Sequence, residues 1–103
     1  MIYELRTYTV HAGKVGELQA AFEQDGYPVI KDYATLVGWW FTEVGVLNQV
    51  VHLWAYEDAG VRQTARTAMN ADPRLVPYRQ KMLPLIVSQT NMLLNPASFS
   101  PLQ

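Results

Sequence analysis

Short stretches dense in β-branched and aromatic residues, the first of them alternating in character, are separated by stretches whose apolar residues recur at three- and four-residue steps, a pattern of strands interleaved with helices. Ile2–Val10 is rich in Tyr, Thr and Val with alternating character, and His11-Ala12-Gly13 breaks it, predicting a strand and then a helix start. Val15, Leu18, Phe22, Gly26, Val29 and Tyr33 then lie on one helical face. Pro28 sits inside that pattern without a backbone donor, so the helix either kinks near Gly26-Tyr27 or ends there and restarts. Residues 36–44 predict a second strand, 45–48 a turn, and 49–57 a third strand, all dense in β-branched and aromatic residues. Beyond Asp58, Val61, Ala65, Ala68 and Met69 mark a modest apolar stripe on a second helix. Asp72-Pro73 reads as an N-cap followed by proline in the first helical position, opening a short helix to about Met82 that Pro84 stops. Residues 85–94 predict a fourth strand, and 95–103 are too rich in proline for more than an extended tail.

The third strand has two differently built faces. Val51, Leu53 and Ala55 are small and apolar, whereas Val50, His52, Trp54 and Tyr56 set an imidazole among aromatics, which a free-standing sheet seldom shows to water. The order strand, helix, strand, strand, helix, strand is the split arrangement of ferredoxin-like α+β folds, a four-stranded antiparallel sheet with both helices on one face. The other face is then bare, and the expectation is that Tyr8, Trp54 and Tyr56 lie there together with His52. At ~150–250 Å² per buried aromatic, that patch exceeds what monomers expose and is worth on the order of 10 kcal/mol gross. A second copy, sheet to sheet, is the simplest cover.

Composition narrows the function classes. The 103 residues suffice for one domain, residues 1–103, and half are hydrophobic while 17% are charged, so the chain folds compactly. Eight basic and nine acidic residues nearly cancel without any Lys/Arg run, which argues against nucleic acid or an anionic membrane as partner. Cysteine is absent, which excludes disulfides and thiolate metal sites and fits a reducing compartment, with the cytoplasm as the expected location. No apolar run reaches membrane-spanning length, and the N-terminal residues show no targeting pattern.

Three segments together carry a family resemblance over nearly the whole chain: Ile2-Tyr3-Glu4-Leu5-Arg6-Thr7-Tyr8 with Gly13-Lys14, the hairpin from Gly45 to Tyr56, and Pro96-Ala97-Ser98-Phe99-Ser100-Pro101. They resemble the NIPSNAP family of the dimeric α+β barrel group. The resemblance implies two ferredoxin-like protomers whose sheets close into a barrel with a cleft in each, and it speaks to architecture rather than activity.

His52 is the first candidate for chemistry, since an imidazole can act as base, acid or ligand near neutral pH; a histidine bonded within a dimer interface is the plain alternative. Arg6 and Glu4 share one face of the first strand, and both enter the cleft if Leu5 faces the helices. There Arg6 could bind a carboxylate or stabilise an enolate or phenolate, with Glu4 or Tyr8 orienting it, or the charges could form a structural salt bridge. Trp54, Tyr56 and Trp40 could line a flat aromatic pocket, although aromatics at strand spacing are more often core. Asn48 near the turn is explained by tolerance of left-handed backbone. On the fourth strand either Ser88 and Thr90 or Gln89 and Asn91 meet the cleft, according to register. Gly13-Lys14-Val15-Gly16 lacks the spacing of a phosphate loop, and no zinc-ligand spacing or nucleophile elbow is present.

The leading expectation is a small-molecule binding protein holding an apolar or aromatic anion in a cleft between sheet and helices. Related barrels include cofactor-independent monooxygenases, which by analogy makes His52 the base and Arg6 the anion partner in oxygenation of a phenol or enol. Haem binding or degradation is the second reading, with His52 or His11 as axial ligand and Trp54 against the porphyrin. A non-enzymatic module, in which His52, Arg6 and Glu4 only lock a homodimer, is the third.

Overall fold

A computed structural model describes residues 1–103. Strands β1 (Ile2–Val10), β2 (Thr35–Phe41), β3 (Gln49–Tyr56) and β4 (Ile86–Leu94) form one antiparallel sheet in the order β2-β3-β1-β4. Helices α1 (Val15–Ala21), α2 (Tyr27–Ile30), α3 (Ala59–Asn70) and α4 (Val76–Met82) pack on one side. The smallest extent, 19 Å against 39 and 36 Å, is that of one sheet and one helical layer. The ferredoxin-like α+β arrangement expected from the element order is therefore present. No helix is long and apolar enough to cross a membrane.

The first helix kinks where Pro28 requires it. Between α1 and α2, Phe22–Gly26 is a π-helical segment in which Tyr27 N–H reaches back five residues to Phe22 O. The wide turn lets the chain continue past a proline that has no donor. Gly26 lies where this segment meets α4, and a Cβ there would stand 3.0 Å from Tyr78 Cγ. Asp72 caps the next turn as expected, accepting from Arg74 N at 2.9 Å. It also accepts the Tyr33 hydroxyl at 2.7 Å, tying the two helical halves together.

The hairpin is looser than the predicted four-residue turn. β2 ends at Phe41, and 42–48 loop out between a Thr42 N–H to Gln49 O bond and a Val10 N–H to Asn48 O bond. Asn48 is left-handed, with φ 61°, as expected for Asn at such a turn. A register shift between Leu36 and Gly38 changes which β2 side chains face the helices. Trp39 consequently pairs with His52, and Trp40 pairs with Val51 on the other side.

The assignment of sheet faces corrects the sequence-based expectation. Tyr8, His52, Trp54 and Tyr56 lie buried beneath the helices, with Glu4 and Arg6 on the same side. The bare face carries Leu5, Thr7, Val51, Leu53, Trp40 and Met92 instead. The reason is area: Leu18, Phe22, Val29, Met69, Tyr78 and Met82 of the helical layer need an apolar partner, and the aromatic row buries more surface than the Val51, Leu53, Ala55 row. Trp40 lies over Gly38, where any Cβ would collide with its indole, and remains 54% exposed. Residues 95–103 form no helix or strand, and the Tyr3 hydroxyl donates to Gln103 O at 2.9 Å, drawing that tail against one end of the bare face.

Candidate functional site

A cavity of about 240 Å³ lies between the sheet and the helices, floored by side chains of β1 and β3 and roofed by α3 and α4. Its apolar wall is Phe22, Trp54, Met69, Leu75, Tyr78 and Met82. Burial raises the Tyr78 hydroxyl above the ordinary tyrosine range, so it stays protonated.

Glu4 is the electrostatic centre. It is fully buried, yet its Oε2 accepts from Arg62, from Arg6 Nη1 at 3.2 Å and from Asn91 Nδ2 at 2.9 Å. Arg66 Nη1 stands 4.0 Å from Oε1, which itself accepts no hydrogen bond. Burial alone would push this carboxyl up, but the hydrogen bond from Arg62 and the charge of Arg6 outweigh it, and the group stays ionised. Arg6 also donates from Nε to the Tyr8 hydroxyl at 3.1 Å. Arg79 lines the cavity as well and donates to Asn70 O at 3.1 Å.

Four of the chain's eight basic residues, Arg6, Arg62, Arg66 and Arg79, thus gather at this cavity or at its single carboxylate. In a chain of net charge −1 that is a concentration of positive charge against a low-dielectric wall, which favours an anion.

His52 is held on every side. The Trp54 indole N–H donates to its Nδ1 at 2.7 Å, Trp39 stacks on it at 4.3 Å with 16° between planes, and Tyr8 meets it edge-on at 4.7 Å. Trp39 is fixed in turn by Phe22, stacked at 4.2 Å, and by its own N–H bond to Gln19 at 3.0 Å. Burial, reinforced by the charge of Arg6 and only partly opposed by Glu4, depresses the imidazole pKa to about 3. His52 is therefore neutral with its Nδ1 lone pair engaged, so Nε2 carries the proton. The group can donate but cannot act as a base there, which departs from the role expected for it.

Of the residues singled out by sequence, Glu4, Arg6, Tyr8, His52, Trp54 and Tyr56 come together around the cavity. Trp40 does not: it lies on the opposite face, and Trp39 takes the position beside the imidazole. Leu5 points away from the helices, and the charges of β1 reach the cleft because the cleft itself is on the helical side. On β4 it is Gln89, opposite Tyr8, and Asn91, opposite Arg6, that face inward. Sequence reasoning missed Arg62, Arg66, Arg79 and Tyr78. The available signal was the spacing of Arg62, Ala65, Arg66 and Met69, which is itself a helical face.

Haem does not fit this site. Axial ligation needs a free lone pair on His52 Nε2, and moving the proton to Nδ1 would set two N–H groups against each other at 2.7 Å. His11 is exposed beyond the end of β1 and is not among the residues lining the cavity.

The fold and site define a ferredoxin-like α+β domain with an arginine-rich cavity under its helices. The chain belongs to the NIPSNAP family, whose model matches residues 3–101. It is 39% identical to human protein NipSnap homolog 3A over 103 residues, which is 99% of this chain but 42% of that protein. The chain thus spans about two fifths of the length of that relative. Protein Atu4242 from Agrobacterium tumefaciens superposes with a TM-score of 0.96 at 36% identity, covering 100% of both chains. A NIPSNAP domain protein from Burkholderia xenovorans gives 0.94 at 38% identity over 98% of this chain and 99% of that one. SnoaB, a cofactor-independent oxygenase from Streptomyces nogalater, shares the fold with a TM-score of 0.66 at 16% identity, covering 97% and 96% of the two chains.

Proposed function

We propose that this NIPSNAP domain binds a small apolar anion, an aromatic carboxylate in the simplest case, in the cavity between sheet and helices. The observation that carries the reading is the meeting of an aromatic and methionine-lined wall with arginines that outnumber the one carboxylate present. At about 240 Å³ the cavity falls below the ~300–1,000 Å³ usual for drug-sized ligands, so the ligand is a compact one. A reducing compartment such as the cytoplasm suits a domain without cysteine.

Oxygenase chemistry, for which fold similarity to SnoaB is the argument, would need a base to activate a phenol or enol. His52 offers no free lone pair, its Nδ1 being taken by the Trp54 N–H, and the arginines that keep Glu4 ionised make that carboxylate a weak base. The geometry thus favours binding over catalysis. Isothermal titration with 4-ethylbenzoate and with 4-ethylbenzylammonium tests the reading. The carboxylate should bind and the ammonium should not, with affinity falling about tenfold or more in an Arg66→Ala, Arg79→Ala variant. Equal binding of the two probes, or indifference to the arginine substitutions, would refute it.

We further propose a homodimer formed through the bare sheet face, which would complete a dimeric barrel. The support is the half-exposed apolar surface of Leu5, Trp40, Val51, Leu53 and Met92 with no helix over it. Sedimentation at micromolar concentration should give a dimer that Trp40→Lys dissociates while leaving the far-ultraviolet spectrum unchanged. A monomeric wild type would sink this part of the proposal.

A further inference from the structure

Resting on the anion-binding reading, we propose that the ligand carries, at the end opposite its charged group, a carbonyl or enolate-type oxygen that accepts a hydrogen bond from His52 Nε2–H. The argument begins with an unpaired donor. His52 is only 3% exposed and lines the cavity, and its Nε2 has no hydrogen-bond partner in the protein. Most buried polar groups of folded proteins are paired, so an orphan beside a cavity points to what the cavity takes.

The donor is also fixed in kind. With Trp54 N–H on Nδ1, the neutral ring has one possible tautomer, and the stack of Phe22, Trp39 and His52 holds its plane. A cation or a plain hydrocarbon end would leave this N–H unsatisfied. A ligand oxygen bearing a lone pair would not.

The charged end lies elsewhere. Arg6 and Arg62 are committed to Glu4 through hydrogen bonds, whereas Arg66 is 4.0 Å from it and Arg79 bonds only the neutral Asn70. Arg66 and Arg79 come from the helical roof, and the Arg66 side chain retains 25% exposure, while His52 belongs to the sheet floor. An anion at the roof and an acceptor at the floor, separated by an apolar wall, describe a flat keto- or hydroxyaryl carboxylate. Trp54 acts here as a positioning residue, since its indole selects the tautomer that donates.

The test compares 4-acetylbenzoate with 4-isopropenylbenzoate, which replaces the carbonyl oxygen by a methylene of nearly the same shape. The wild type should prefer the acetyl compound by about 3- to 10-fold, the worth of one neutral hydrogen bond. His52→Phe should abolish that preference, and His52→Gln should restore it, because its amide can donate to the ligand while its oxygen accepts from Trp54. Damage to the fold would weaken both probes alike and leave their ratio unchanged, so the ratio reports the hydrogen bond. In the free protein, ¹⁵N spectra of the His52 ring should show protonated Nε2 and bare Nδ1. Bare Nε2, or equal affinity of the wild type for the two probes while the arginine variants still weaken both, would overturn this inference alone. Failure of both carboxylates to bind would overturn it together with the anion-binding reading.

Discussion

Glu4→Gln should separate what holds helix α3 from what holds the sheet. The carboxylate is fully buried and faces Arg6, Arg62 and Arg66, so neutralising it leaves three guanidinium groups crowded without a counter-charge. Removing one partner of a buried ion pair costs ~3–5 kcal/mol. The arginines keep 14%, 15% and 25% of their side-chain exposure, so water relieves part of the repulsion and the low end applies. About 3 kcal/mol is a large share of the ~5–15 kcal/mol expected for such a domain, and lowers Tm by about 12–24 °C. The loss should also be local. Met69 is the one buried residue of α3, so Arg62 and Arg66 do much of the work of fastening that helix to the sheet. Hydrogen exchange should therefore accelerate across Ala59–Asn70 well beyond β1 and β3. Because the folded carboxyl titrates below its ordinary 4.5, its stabilisation is present above that pH and is lost as pH falls through the depressed folded value. Glu4→Gln should flatten this acid limb. A loss under about 1 kcal/mol in urea unfolding, or exchange that rises equally in every element, would refute the reasoning.

Other tests probe different parts of the structure. His52 titrates near 3 when folded against 6.5 ordinarily, so the unfolded chain takes the proton first and stability, complete above 6.5, declines as pH falls toward 3. Urea unfolding at pH 7 and pH 5 should show a contribution of about 2 kcal/mol from this group that disappears in His52→Gln; identical pH slopes in the two proteins would contradict it. Gly26→Ala would bring a methyl to 3.0 Å from Tyr78 Cγ and 3.2 Å from Phe22 Cδ2. It should cost about 1–3 kcal/mol and, by moving Tyr78, weaken binding of 4-ethylbenzoate in calorimetry. Unchanged stability and affinity would show that the π-helical turn has slack.

Element order was legible because each element carries its own period. The hairpin, the Asp72-Pro73 cap and the break at Pro28 follow from local chemistry that tertiary context did not overrule. Facing was not legible in the same way. Both rows of β3 are apolar enough to meet helices, and only the packed areas show that the row of His52, Trp54 and Tyr56 is the one covered. Trp40 lies on the other face because of one extra residue at Val37, a bulge whose one mark in the sequence is the neighbouring Gly38 inside a strand. The inward face of α3 is not one that apolar spacing alone marks, since half of it is arginine. Val61, read as part of that face, is exposed, and Arg62 and Arg66 point inward toward a buried carboxylate contributed by a strand 58 residues away from Arg62.

A crystal structure of the protein grown with 4-acetylbenzoate would examine the anion site most directly. The account predicts the ring between Tyr78 and the floor of β1 and β3, the carboxylate beside Arg66 and Arg79, and the acetyl oxygen within hydrogen-bond distance of His52 Nε2. Electron density for the probe on the bare sheet face, with the cavity under the helices closed by repacked side chains, would contradict it.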